Sequence, residues 1–164
     1  MARELVMFVV EDLSFSYDKK KVLNGFSCHF EAGRSYGLSG PSGIGKSTFC
    51  KILSGQLAPQ KGSLSLNGEN VTGKMSRKVL MVSQDADLFA WQTVSKTIDF
   101  FKEPETSKDE LLALVALDKY RDFYPKQLSG GMKKRLSLCR ALSANPSVLI
   151  IDELFSSQDV ALKE

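Results

Sequence analysis

Apolar residues fall into short runs over the first third of the chain. Residues 5–10 and 13–17 read as two strands, and residues 18–21 as a polar turn after them. A further strand is predicted over 26–30, ended by Glu31-Ala32-Gly33. Residues 35–39 form a short strand-like run that opens into a glycine-rich loop. Between 46 and 53 the apolar spacing turns helical, and Gly55 is placed to cap that helix. A turn over 59–62 precedes a strand over 63–66, which closes on Asn67-Gly68, a hairpin signal. Residues 79–82 have the composition of a buried strand.

The pattern then changes. Helices are predicted over 94–101 and 108–117, joined by a polar segment that contains Pro104. Another runs from about 130 to 144 and is stopped by Asn145-Pro146. Residues 148–151 are continuously apolar, as in a strand buried on both faces of a parallel sheet. This order predicts an α/β fold with an antiparallel β subdomain in front and a short helical insertion at about 86–145. There is no internal repeat and no low-complexity tract.

Composition narrows the picture. The chain has 164 residues, 43% of them apolar, with 22 basic and 19 acidic side chains and a net charge of +3. These values exclude a disordered chain and suit one domain over residues 1–164. No run approaches the ~18–20 apolar residues that cross a bilayer. The apolar stretch 5–10 is too short for a secretion signal. The chain is therefore expected to stay where it is made, with any membrane role supplied through a partner. Cys28, Cys50 and Cys139 are an odd, scattered set, which fits a reducing compartment. With His29 the sole histidine, a metal site of histidine and cysteine is not expected. The basic runs 19–21 and 133–135 read as solvated faces, and nucleic-acid binding is not expected.

The chemistry begins at Gly40-Pro41-Ser42-Gly43-Ile44-Gly45-Lys46-Ser47, which satisfies G-x-x-x-x-G-K-[ST]. A polyphosphate needs many donors at close range. Glycines let successive backbone N–H groups turn inward, and the following helix adds its unpaired N-terminal amides. Lys46 can neutralise the β and γ phosphates, and Ser47 can ligate Mg²⁺.

Two further segments fit the same chemistry. The apolar run 148–151 ends in Asp152 and Glu153. Asp152 at that edge can hold Mg²⁺ through water, and Glu153 can orient and deprotonate an attacking water. Alone, such acids are common strand stops. The second segment, Leu128-Ser129-Gly130-Gly131-Met132, opens a helix with Ser129 as N-cap. Two glycines in a first helical turn cost about 1 kcal/mol each against alanine, and close approach of an anion is the usual offset.

Together these residues resemble the ATP-binding subunit of an ABC transporter, over nearly the whole chain. The resemblance assigns the Walker A motif to 40–47, with Thr48 beside it, and the Walker B motif to 148–152. It makes Glu153 the catalytic glutamate, 128–132 the signature sequence and Gln84 the Q-loop glutamine, a ligand of metal or water. Tyr17 stands where the family stacks an aromatic ring on adenine, and 156–159 matches the D-loop. The stretch 88–94 resembles importers of nitrate, sulfonates, taurine and thiamine precursors.

The resemblance implies a P-loop NTPase core sheet, ATP and Mg²⁺ as ligands, and a head-to-tail dimer. Each ATP would lie between one copy's Walker motifs and Ser129, Gly130 and Gly131 of the other. Transmembrane permease subunits would be the direct partners, a solute-binding protein an indirect one. The location would be cytoplasmic, on the inner face of the membrane.

Departures are visible too. The family continues past the D-loop to a strand that ends in a switch histidine, whereas the sequence here stops at Glu164. The expectation is a shortened ATPase with an incomplete core, in which strands 35–39 and 148–151 lack a shared neighbour. Met132 replaces the commoner glutamine, Leu154 stands at a usual proline, and 84–129 is short. His29 reads as a surface residue. Tyr17 could be strand-end packing, Gln84 a plain loop residue, and Trp91 either subdomain core or partner contact. The cysteines read as small core fillers. One other function remains open, a nucleotide-binding remnant without hydrolysis; a small-molecule kinase is disfavoured, because a kinase has no need of the segment 128–132.

Overall fold

The computed structural model describes residues 8–83 and 88–152. They fall into two compact units, Met1–Val79 and Leu80–Glu164. Helices, an antiparallel sheet and a parallel sheet make up an α/β fold.

In the first unit, β1 (Phe8–Tyr17) lies between β2 (Lys20–Phe30) and β3 (Lys61–Leu66), with β4 (Glu69–Asn70) beyond β3. The two strands expected over 5–10 and 13–17 are one continuous strand over the described part. The break in apolar phase is a bulge. Phe8 and Val10 point inward, and strict alternation would next bury Asp12. Instead one extra residue is inserted at Glu11-Asp12 against both neighbouring strands, with Asp12 at φ 48. Leu13 and Phe15 thereby regain the inner face. Gly62 allows this, because a Cβ there would strike the carbonyl oxygens of Glu11 and Asp12. The Asp12 N–H donates to Ser27 Oγ at 2.9 Å.

The turn between β1 and β2 is tighter than expected, since Tyr17 already pairs with Lys20. β2 likewise begins earlier than the strand predicted at 26–30. His29 is exposed on it. The Asn67-Gly68 hairpin is present, with both residues at positive φ (52 and 82). Helix α1 (Lys46–Leu53) buries Phe49, Cys50 and Ile52. Phe49 meets Phe26 of β2 edge-on, at 5.1 Å between ring centroids. The Gly55 N–H closes the helix on the Ile52 carbonyl at 3.0 Å.

The strand expected at 35–39 is not formed. These residues have no ladder partner among the described residues, and Tyr36 and Leu38 are 52% and 49% exposed. An apolar run becomes a strand only where a neighbour supplies hydrogen bonds and cover.

In the second unit, α2 (Val94–Phe101), α3 (Lys108–Leu114) and α4 (Gly130–Ser143) enclose a core of Val94, Ile98, Leu112, Leu117, Leu128, Leu136 and Cys139. Thr93, Ser107 and Ser129 cap the three helices by accepting from Lys96, Glu110 and Met132 N–H respectively. Helix α3 stops earlier than the predicted Leu117. Ala116 turns left-handed (φ 52), and the Leu117 N–H reaches back to the Leu112 carbonyl at 2.8 Å. That closure drives Leu117 into the core. Arg135 Nη1 donates to the carbonyls of Val115 and Ala116 at 2.8 and 3.3 Å, locking the turn onto α4. Helix α4 ends as expected at left-handed Asn145 (φ 47).

β5 (Val79–Val82) and β6 (Val148–Ile151) pair as a two-stranded parallel sheet. Val82 and Leu149 pack with Leu138 and Ala141 of α4. β6 is not buried on both faces, since Ile151 is 44% exposed. Its sole partner in the described sheets is β5, so its outer side lacks cover. As expected, Cys50 and Cys139 fill core positions, whereas Cys28 is only half-buried.

Leu136→Ala should cost about 2–5 kcal/mol in denaturant unfolding, because that side chain is fully buried at the centre of the helical core. Burial also pushes the Cys139 thiol up to about 11. The unfolded thiol titrates near 8.5, so the folded state alone keeps its proton in between. That stabilisation is complete below the unfolded value and is lost as pH rises through the folded one. Melting temperature should therefore fall between about pH 8.5 and 11, and fall less steeply in Cys139→Ala.

Candidate nucleotide site

The glycine-rich loop belongs to the first unit. It leads into α1 through Gly45, which is the helix N-cap and adopts φ 112. No side chain caps α1, and no acidic residue occupies its first turn. The first intrahelical bond runs from the Phe49 N–H to the Gly45 carbonyl at 2.9 Å. The amides of Lys46, Ser47 and Thr48 thus form an uncapped, positively polarised helix end. Gly40, Pro41, Ser42, Gly43 and Ile44 are exposed, Lys46 and Thr48 half-buried, and Ser47 exposed.

Lys46 folds back over the loop. Its Nζ donates to the carbonyls of Gly40 at 2.8 Å and Pro41 at 3.0 Å. An ammonium has three donors, so one remains for an anion above the loop. Two carbonyl contacts hold the charge at the loop mouth, next to the free helix amides.

Gly45 is required twice over. Its φ is one that side-chain-bearing residues rarely adopt, and a Cβ there would lie 2.5 Å from Val22 Cγ1. Val22 is the contact that sequence reading missed. Nothing in the run Lys19-Lys20-Lys21-Val22 signals it, because it depends on how β2 passes the loop. Tyr17, on the opposite strand of the same hairpin, is 46% exposed. Its ring and that of Phe15 meet in a T-shaped contact at 4.9 Å.

The second unit holds the other segments. Ser129 Oγ accepts from the Met132 N–H, and the Ser129 carbonyl from the Lys133 N–H at 2.9 Å. The cap leaves the Gly130 and Gly131 amides outside these bonds. A Cβ on either glycine would meet nothing within 4 Å, so no packing within the described structure demands glycine there. Met132 packs against the helical core, which accounts for an apolar residue at that position. Asp152 follows β6, its N–H held by the Val82 carbonyl at 3.0 Å. Trp91 is 73% exposed and leans on Phe89, so it is surface rather than subdomain core. Gln84, Glu153, Leu154 and the segment 156–159 lie outside the described residues.

The sequence profile of the ABC transporter family matches residues 23–156. The chain belongs to the ABC transporter family. A thiamine import ATP-binding protein of Photorhabdus laumondii is 35% identical over 96% of this chain and 70% of its own length. A sulfate/thiosulfate import ATP-binding protein of Pseudomonas syringae is 36% identical over 94% of this chain. The chain spans about half the length of that relative, 52%. Among solved structures, an ATP-binding subunit of an ABC transporter superposes with a TM-score of 0.80 at 25% identity. That match covers 91% of this chain and 67% of the other.

Gly45→Ala should cost about 1–3 kcal/mol through backbone strain alone, with the Val22 clash added. A lower melting temperature together with loss of nucleotide binding is the expected result.

Proposed function

We propose that the chain is the ATP-binding subunit of an ABC-type importer, which couples ATP binding and hydrolysis to movement of a solute across a membrane. The observation that carries this reading is the Lys46 ammonium set over a loop that ends in an uncapped helix start. The relatives named for sulfate/thiosulfate and thiamine import support it.

In this reading residues 40–48 hold the triphosphate through backbone amides and Lys46, and Tyr17 offers its exposed ring to adenine. Ser47, Gln84 and Asp152 would hold Mg²⁺. A hydroxyl, an amide carbonyl and a carboxylate are the hard oxygen donors that ion takes. Bound there, Mg²⁺ would neutralise charge on the β and γ phosphates. Glu153 would take the proton of the attacking water while Gln84 orients it.

The open first turn of α4 supports a second copy arranged head to tail, with Ser129, Gly130 and Gly131 of one copy donating to the γ phosphate held by the other. The whole chain, 1–164, would act as one nucleotide-binding domain with residues 86–145 as its helical insertion. It would sit on transmembrane permease subunits at the cytoplasmic face of the membrane, and serve a solute-binding protein through them.

One observation favours a second reading, a nucleotide-binding module without hydrolysis. The segment feeding the phosphate loop, 35–39, is exposed and has no ladder partner among the described residues, so the loop is less firmly held from that side.

Lys46→Ala should weaken ATP binding about 10- to 100-fold, the loss expected for a charge-assisted contact, in calorimetric titration of folded protein. Unchanged affinity would sink the nucleotide reading. Glu153→Gln should keep ATP affinity and abolish phosphate release. A wild-type chain that binds ATP yet releases no phosphate would establish the second reading instead.

A further inference from the structure

Val22 belongs to none of the motifs, yet it is built into the phosphate loop by a defect in the neighbouring sheet. Along β1 and β2, Phe15 pairs with Leu23 and Ser16 with Lys21. Two residues of β2 therefore advance against one of β1, and Val22 is the extra residue of a bulge. Its neighbours Lys20 and Lys21 are exposed, whereas Val22 and Leu23 are both half-buried, a local break in the alternation of an edge strand. Bulges re-aim side chains, and they concentrate at sheet edges and beside functional sites.

What the bulge re-aims Val22 toward is Gly45. A Cβ built on Gly45 would lie 2.5 Å from Val22 Cγ1, 3.4 Å from the Val22 carbonyl oxygen and 3.9 Å from Leu23 Cδ2. Gly45 sets the direction of the first three amides of α1, because it is the helix N-cap and no side chain shares that task. Pressure on Gly45 is therefore pressure on the donors that meet a phosphate.

We propose that Val22 is a positioning residue of the phosphate loop: its branched side chain, thrown out of register by the bulge, is the stop against which Gly45 seats. The proposal rests on the reading of residues 40–48 as a triphosphate site. It assigns the sheet a task separate from adenine stacking. Tyr17 lies at the hairpin end, opposite Lys20, and packs on Phe15.

The two tasks separate with a ligand that has no base. Calorimetric titrations with ATP and with inorganic tripolyphosphate would compare wild type, Val22→Ala, Val22→Thr and Lys46→Ala, each checked for a thermal unfolding transition. Val22→Ala should weaken both ligands by the same factor, about tenfold, as expected when donors shift by a fraction of an ångström. Val22→Thr, which restores a branched side chain, should recover both. If Val22→Ala has no unfolding transition, Val22→Leu takes its place with the same expectation, since it moves the branch away from Cβ.

Loss of ATP affinity with tripolyphosphate unchanged would make Val22 a base contact and overturn the proposal. So would unchanged affinity for both, or failure of a folded Val22→Thr to recover them. If Lys46→Ala also leaves tripolyphosphate binding intact, the triphosphate reading itself has failed. If Lys46→Ala weakens it and Val22→Ala does not, only the role of Val22 has failed.

Discussion

A helix that begins on a left-handed glycine, with no side chain to cap it, is the constraint on which the site depends. Capping would stabilise α1 by about 1 kcal/mol, but it would also occupy the amides that an anion needs. Here the N-cap is Gly45, and stability comes from elsewhere: Phe49, Cys50 and Ile52 are buried, and Phe49 is pinned by Phe26. The N-terminal end of the helix is thus left uncapped while the middle is anchored. Lys46 completes the arrangement from within the same turn, since its ammonium is tethered to loop carbonyls rather than left to roam.

The helical unit handles its own exposed donors differently. Helix α4 has a conventional serine cap, yet Gly130 and Gly131 keep the space above its first turn clear. Met132 is drawn inward onto the core, so the first apolar side chain of the helix anchors it rather than obstructs it. One helix end is made available by omitting a cap, the other by omitting side chains.

Local chemistry was legible in the sequence, and long-range geometry was not. The limits of α1, α2, β5 and β6 follow from spacing, caps and turns that lie within a few residues of one another. The hairpin at Asn67-Gly68 and the stop at Asn145 are of the same kind. By contrast, the kink at Asp12 separated what looked like two strands, because a bulge is defined by two neighbouring strands at once. The early end of α3 depends on Ala116 accepting a left-handed turn while Leu117 enters the core and Arg135 grips the carbonyls behind it. Residues 35–39 have a strand's composition without a strand's neighbour. The glycine-rich loop of the first unit and the glycine pair that opens α4 in the second stand out by residue type and spacing alone. Val22 does not, since only its approach to Gly45 distinguishes it from any other valine.

The double grip of Arg135 has a mechanical consequence. One guanidinium nitrogen holds two successive carbonyls of the turn after α3, so the root of that helix is bolted to the second turn of α4. Lys108 and Arg121 tie α3 to α2 and to the turn that follows it, through Asp99 and Asp109. Helix α3 is thereby tied at both ends, by Lys108 to α2 and by Arg135 to α4, so neither of its ends can shift without breaking a bond to a neighbour.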